Sequence, residues 1–462
     1  MDHLDNLLLL TDSYKVTHYR QYPPGTEHVY SYFESRGGDY PEIVFFGLQY
    51  YLKKYLSGVV VTRDKIEFAQ QFLARHFGSE TLFNRSGWEY ILDRHGGRLP
   101  VRIEAVPEGT VVPPLNVLMT IENTDPQCYW LTNYLETLLV QVWYGSTVAT
   151  QSREMKRTLL QYLRETGDPS LVDFKLHDFG FRGVSSVESA AVGGAAHLVN
   201  FKGTDTIAGL TLAHDYYGEP MAGFSIPAAE HSTITAWGRD REAEAMRNML
   251  LQFPDGWISV VSDSFDIFRA CSEIWGRQLK DLVLQRPGTV VVRPDSGDPP
   301  RVVVKVLDLL GEAFGYSRNA KGFKVLDPHV RIIQGDGVDR DMLPKILEAM
   351  KSAEWSADNI AFGSGGGLLQ KLNRDTCKFA FKCAAVTING QEQDVYKQPV
   401  TDPGKDSKAG RLALVRRDGR WVTVRATSET APQNRLREVF RDGRLLAETT
   451  FAEIRQRAEL RP

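Results

Sequence analysis

From about residue 172 to residue 390 the chain repeats one pattern seven times: a short apolar stretch, a polar or glycine-rich loop, then an amphipathic helical segment. The stretches with their loops are VDFKLHDFGFRG, HLVNFKGTD, AGFSIPAAEH, WISVVSDSFD, TVVVRPDSGD, VRIIQGDGVD and NIAFGSGGG. The second is ambiguous, since SSVESAAVGGAAHLVNF reads equally well as helix through to residue 201. A strand followed by a helix returns alongside its predecessor, so the repeat dictates parallel pairing. Seven units in so short a span favour a closed or nearly closed α/β barrel over two separate sheets.

The flanks follow other rules. Up to about residue 150, QYPPGTEHVYSYFESRGG and LPVRIEAVPEGTVVPPLNVLMTIENT read as short strands broken by turn residues, and IVFFGLQYYLKKYL as strand into helix. After them, YWLTNYLETLLVQVWYGSTVATQSREMKRTLLQYLRE has apolar residues at helical spacing and makes one long helix or two consecutive ones. Beyond residue 391, RRDGRWVTVRA and FRDGRLLAETTF carry Asp-Gly pairs that mark hairpins. The expected organisation is therefore a barrel over 151–390 and a second, β-rich domain from 1–150 completed by 391–462. A length of 462 residues suits that division.

Composition narrows the partners. A net charge of −3 offers no basic footprint for nucleic acid, and no run approaches the apolar length of a membrane span. MDHLDNLLLL lacks the basic start of a signal peptide. The cysteines, Cys128, Cys271, Cys377 and Cys383, have no zinc-ligand spacing and are too sparse for a disulfide framework. The expectation is a soluble cytoplasmic protein without nucleic-acid or membrane partners.

Barrels of this kind carry catalytic groups on the loops at the C-terminal ends of their strands. Here those loops hold Asp178, Arg182, Asp205, His231, Asp263, Arg293, Asp295, Asp336 and the GSGGG run at 363–367. Each has a plain alternative: a hydrogen-bonded structural histidine, an Arg–Asp ion pair, a core phenylalanine at Phe179, a glycine turn. Together they are more than turning requires. Gly365, Gly366 and Gly367 would let a phosphate approach main-chain amides at a helix start, with Ser364 adding a hydroxyl or capping the helix. Arg293 can bind an anion or a carbonyl oxygen, and Asp295 can accept from ribose hydroxyls or bind Mg²⁺. Asp263 suits similar work. Tyr14, Arg36, Arg374 and Lys382, from the flanks, stand open between surface charge and ligand contact.

The strings TDSYKVTHYRQYPPGT, HDFGFRGVSS, NFKGTDTIAG, IPAAEHSTITAWG, VVSDSFDI, RPDSG, IQGDGVD, AFGSGGGLLQKL and GRL near residue 412 occur in this order. They closely resemble the nicotinamide phosphoribosyltransferase family, from about residue 7 to the C-terminus. The resemblance implies a type II phosphoribosyltransferase fold: an α/β, (β/α) barrel-like domain with a second, β-rich domain built from both terminal segments. It implies transfer of the 5-phosphoribosyl group from phosphoribosyl diphosphate to nicotinamide, with Mg²⁺, by a homodimer whose active sites lie at the subunit interface.

In that pattern the nicotinamide ring stacks between Phe179 and the partner's Tyr14, while Asp205 and Arg293 read the carboxamide and Ser225 and Asp336 line the substrate. Asp295 would hold the ribose hydroxyls, and Gly365 and Gly366 the nucleotide phosphate. Arg36, Arg182, Arg374, Lys382 and Lys397 would hold the phosphates and diphosphate. His231 is implied to be phosphorylated by ATP. From their own chemistry Asp263 and Asp295 are expected to complete the catalytic set and meet the metal. Two departures stand out: Ala380 where the pattern has a serine near the phosphate, and Phe181 for a tyrosine.

Asp205 favours the amide over the acid. A nicotinate carboxylate about 4 Å away would be repelled by about 4 kcal/mol at an effective dielectric near 20. The competing assignments are a nicotinate phosphoribosyltransferase of the same architecture and a dimeric binding protein that keeps the fold without turnover.

Overall fold

The computed structural model describes residues 3–398, 401 and 407–460. They form two compact units. The first runs to Thr150, resumes over Asp215–Glu219 and again over Leu372–Glu459; the second takes Gln151–His214 and Pro220–Lys371.

In the second unit six parallel strands stand in the order Gly203–Thr204, Leu176–Asp178, Ile360–Ser364, Val330–Gln334, Gly288–Arg293, Gly256–Val261. The third expected strand, AGFSIPAAEH, is not one. It touches each edge of the sheet at a single parallel bridge, Phe224 to Gly203 and Ala228 to Ser259, and so completes the ring. The ambiguous SSVESAAVGGAAHLVNF is helix over Val187–Leu198, leaving a strand of only two residues after it. Strands with helices outside and side chains inside are buried on both faces, hence their aliphatic runs. Ile258, Val260, Val290, Val292, Ile332 and Phe362 are all buried. Helix Pro299–Phe314 packs on strand Val330–Gln334 and buries Val302, Val303, Val306, Leu307, Leu310 and Phe314, the three-and-four spacing of one helix face. Each such side chain contributes about 1.5–3 kcal/mol by leaving water.

The first unit is built on a seven-stranded antiparallel sheet ordered Gln391–Asp394, Phe379–Ile388, Thr26–Ser35, Val117–Asn123, Val101–Ala105, Arg437–Arg441, Arg444–Leu445. The Asp-Gly pairs turn as their chemistry requires: φ is 50° and 75° at Asp418 and Gly419, 49° and 76° at Asp442 and Gly443. The boundary expected at residue 390 falls at Lys371 instead. Phe379–Ile388 pairs antiparallel with Thr26–Ser35 and folds back on Gln391–Asp394 through Asn389 and Gly390, an Asn-Gly turn that assigns the strand to this sheet. The helical stretch before the barrel comprises Leu131–Tyr134, Glu136–Leu139 and the long Val142–Thr166.

A candidate active site at the strand ends

The loops gather at the C-terminal ends of the parallel strands, and one chain of contacts links several of them. His231 opens the short helix His231–Thr235 just after the bridged segment. Its Nε2 lies 3.0 Å from Asp263 Oδ1, the imidazole 47% exposed and the carboxylate 4%. The other oxygen of Asp263 accepts from the Asp295 amide at 3.1 Å and from Ser296 Oγ at 2.6 Å. Arg293 in turn donates from two nitrogens to the Asp295 carboxylate, at 3.2 and 2.7 Å. Its guanidinium carbon stands 5.8 Å from the centre of the Phe179 ring.

Phe179 is set by its neighbours. Asp178, fully buried at the end of its strand, accepts the Gly180 amide at 2.7 Å, a local turn that throws Phe179 outward. A Cβ at Gly363 would lie 1.9 Å from the Phe179 ring, so the first glycine of GSGGG makes room for an aromatic face. Burial raises the Asp178 carboxyl to about 6. The parallel register His177–Gly203 and Asp178–Thr204 brings Asp205 beside Phe179, and Asp205 takes the Ser225 hydroxyl.

The glycine run divides its work. Gly365 and Gly366 begin the helix Gly366–Leu369, whose first amides have no partner within it, and the space around Gly366 is open. Gly183, next to Arg182, approaches Gly366 closely. Gly367 is required by packing, since a Cβ there would stand 2.7 Å from the Val338 carbonyl oxygen. Ser364, one of whose expected roles was to cap the helix, does not: it is buried and donates to Val338 O at 2.6 Å. Asp336 sits exposed on its loop, its carbonyl accepting from Gln334.

Tyr14, Arg36, Arg374, Lys382 and Lys397 belong to the antiparallel unit. Lys382 is lowered from the usual lysine range by burial first, then by the positive charges of Arg36, Lys397 and Arg374. Those four cations therefore share one neighbourhood. Arg36 bonds Glu34 at 3.2 Å, and Lys408, which sequence reasoning missed, bonds the same carboxylate. Its only signal was a position two residues before the GRL string. Ala380 lies opposite Glu34 in the strand register. Tyr14 is exposed, edge-on to His18 with the Lys15 ammonium over its ring. Sequence reasoning also missed Ser296, inside RPDSGD, which holds Asp263.

Asp263 and Asp295 form no compact three-ligand set with a further histidine, cysteine or carboxylate among the described residues. Both carboxylates are already engaged by hydrogen bonds, so they fit a magnesium ion met through water better than one they enclose.

A parallel βα ring with an antiparallel unit built from both flanks is the architecture of type II phosphoribosyltransferases. The nicotinate-nucleotide pyrophosphorylase from Pyrococcus furiosus shares it at a TM-score of 0.61 over 98% of this chain and 95% of that one, with 16% identity. The chain belongs to the nicotinate phosphoribosyltransferase (NAPRTase) family, whose model matches residues 174–444. Residues 6–103 match the N-terminal domain of nicotinamide phosphoribosyltransferase. The nicotinamide phosphoribosyltransferase of Xanthomonas campestris pv. campestris is 53% identical, covering 99% of both chains. That of Acinetobacter baylyi is 34% identical over 98% of this chain and 97% of its own.

Proposed function

We propose that the chain is a pentosyltransferase that moves the 5-phosphoribosyl group from phosphoribosyl diphosphate to nicotinamide, giving nicotinamide mononucleotide and diphosphate for NAD salvage. The observation that carries this is full-length 53% identity to an enzyme of that name, in a chain that keeps Asp205 with Ser225 beside Phe179. The pyridine nitrogen attacks the anomeric carbon with its lone pair as the bond to diphosphate breaks, and that electron pair leaves with diphosphate. Charge on the sugar and then on the pyridinium ring favours an aromatic face such as Phe179 and a nearby carboxylate. Asp205 repels a nicotinate carboxylate. Arg36, Arg374, Lys382 and Lys397 supply cations for the diphosphate, Arg182 with Gly365 and Gly366 a phosphate seat, and Asp295 the ribose contact. Magnesium would travel with the diphosphate and lower its charge, with Asp263 and Asp295 reaching it through water.

ATP coupling belongs to the same proposal. With Nε2–H donated to Asp263, His231 presents Nδ1 as the nucleophilic lone pair at an exposed position. Nδ1 attacks the γ-phosphorus, the bond to ADP breaks, and its electron pair leaves with ADP. A homodimer completes each site with the partner's Tyr14. Four free cysteines suit the cytoplasm, and no helix of the described residues is long and apolar enough to cross a membrane.

The test is a competition between equal nicotinamide and nicotinate with phosphoribosyl diphosphate and Mg²⁺, with and without ATP, both mononucleotides read by mass. Nicotinamide mononucleotide should dominate and rise with ATP. A predominance of nicotinic acid mononucleotide overturns the substrate assignment, and a His231→Ala protein that keeps full ATP stimulation overturns the phosphohistidine.

A further inference from the structure

A cavity of about 400 Å³ in the antiparallel unit is lined by His95, Arg98, Arg441, Asp442, Arg444 and Leu446. None of these residues serves the chemistry proposed above. The strand register makes this an electrostatically costly place: Arg441 stands directly opposite Arg444 across its hairpin and opposite Arg102 on the next strand. Like charges in direct cross-strand pairs destabilise a sheet. Glu438 holds Arg441 through two hydrogen bonds, at 2.5 and 2.8 Å, and Glu122 holds Arg102 at 3.1 Å. Arg98 and Arg444 have no ion-pair partner among the described residues.

The cavity lining holds three arginines against one acid, Asp442, which together with Glu438 and Glu104 acts on Arg441. Asp442 accepts from Thr124. Asp125, behind His95, accepts from His95 Nε2 at 2.8 Å, from the Tyr90 hydroxyl at 3.0 Å and from the Gln127 amide at 2.9 Å. His95, Asp125 and Cys128 are close enough to suggest a cation, but burial pushes the Cys128 thiol up to about 12, which disfavours the thiolate a metal needs. Neighbouring arginines oppose a cation further. The charge that is missing here is negative.

We propose that this cavity binds a phosphorylated small molecule, with its phosphate oxygens held by Arg98 and Arg444. Planar guanidinium forks match phosphate oxygens two at a time, and the volume falls in the range of small-ligand sites. The seat is held in place by the turn: Gly443 has φ 76°, and a Cβ there would lie 2.8 Å from Arg98 Cβ, so turn and arginine are pressed together. Leu446 adds an apolar wall for the rest of the ligand. This site is independent of the reaction assigned to the strand ends.

The probe is inorganic tripolyphosphate, titrated calorimetrically into the full chain at about 0.15 M salt, where charges beyond about 8 Å are screened. The unmodified protein should bind one more equivalent per chain than Arg98→Ala/Arg444→Ala, or bind it at least tenfold more tightly, while phosphoribosyl transfer is unchanged in both. Should the double variant fail to fold, Leu446→Trp fills the cavity without removing charge and is expected to lose the same equivalent. Equal stoichiometry and affinity in the unmodified protein and the folded variant overturn the proposal. Survival of transfer activity in a variant that has lost the extra equivalent separates this site from the catalytic one.

Discussion

At the scale of single residues, Asp263 is the junction of the strand-end site, because its two oxygens serve His231 on one side and the Asp295 amide with Ser296 on the other. In Asp263→Asn one of those sides must face an NH2 group. Hydrogen bonds to charged groups are worth about 1.5–3 kcal/mol, so ATP-stimulated turnover should fall about 10- to 100-fold while unstimulated turnover falls less. Equal losses with and without ATP would count against the pairing with His231. Gly363→Ala drives a methyl into the Phe179 ring. Its KM for nicotinamide should rise at least tenfold, with thermal stability also lowered, and an unchanged KM would show that Phe179 is not the stacking face. Asp178 makes a pH prediction. Its carboxyl is raised from 3.8 to about 6 by burial, so between those values the folded chain keeps a proton that the unfolded chain has lost. Stability therefore falls as pH climbs through that window, by about 3 kcal/mol in all. In Asp178→Asn the amide oxygen still accepts from Gly180, and the unfolding free energy, measured by urea titration from pH 4 to 7, should lose most of that decline.

At the scale of elements, the proposed function predicts that the parallel ring separates chemistry from stability along its axis. At the N-terminal end of the strands, buried Lys175 donates to the carbonyl oxygens of Ala357, Asp358 and Ile360, at 3.1, 3.0 and 2.9 Å. Lys175→Met leaves those three acceptors without their donor, and the protein should lose about 2–4 kcal/mol. Its kcat near room temperature should stay within about twofold, as none of the groups proposed for the reaction lies at the N-terminal end of the ring. A large loss of kcat in a folded variant would contradict that division. The hairpins were legible because Asp-Gly demands positive φ at both turn residues. The same logic applied to Asn389-Gly390 would have assigned Phe379–Ile388 to the antiparallel sheet. An apolar run within the repeat region masked that signal, and with it the boundary at Lys371.

At the scale of the whole molecule, the proposed dimer makes each site depend on two chains. A Tyr14→Ala chain and a His231→Ala chain, each impaired alone, should regain ATP-stimulated activity when unfolded and refolded together. Random pairing restores about a quarter of the sites. No recovery would argue that Tyr14 and His231 of a single chain serve one site.

The sequence by itself determined the parallel ring, since alternating strand and helix patterns leave no other pairing, and it determined which loops hold polar residues at the strand ends. HDFGFRG, RPDSGD and FGSGGG identify Phe179, Arg293, Asp295, Gly365 and Gly366 as candidates through local chemistry alone. Only the tertiary structure decided how those residues spend their bonds. Asp263 reaches His231 and Ser296 across gaps of 32 and 33 residues, Gly363 serves an aromatic ring that follows the adjacent strand, far away in sequence, and Ser364 turns to a neighbouring loop. A strand records its pattern in its own residues, whereas a hydrogen bond between loops depends on which strands stand side by side. That adjacency is a property of the closed ring.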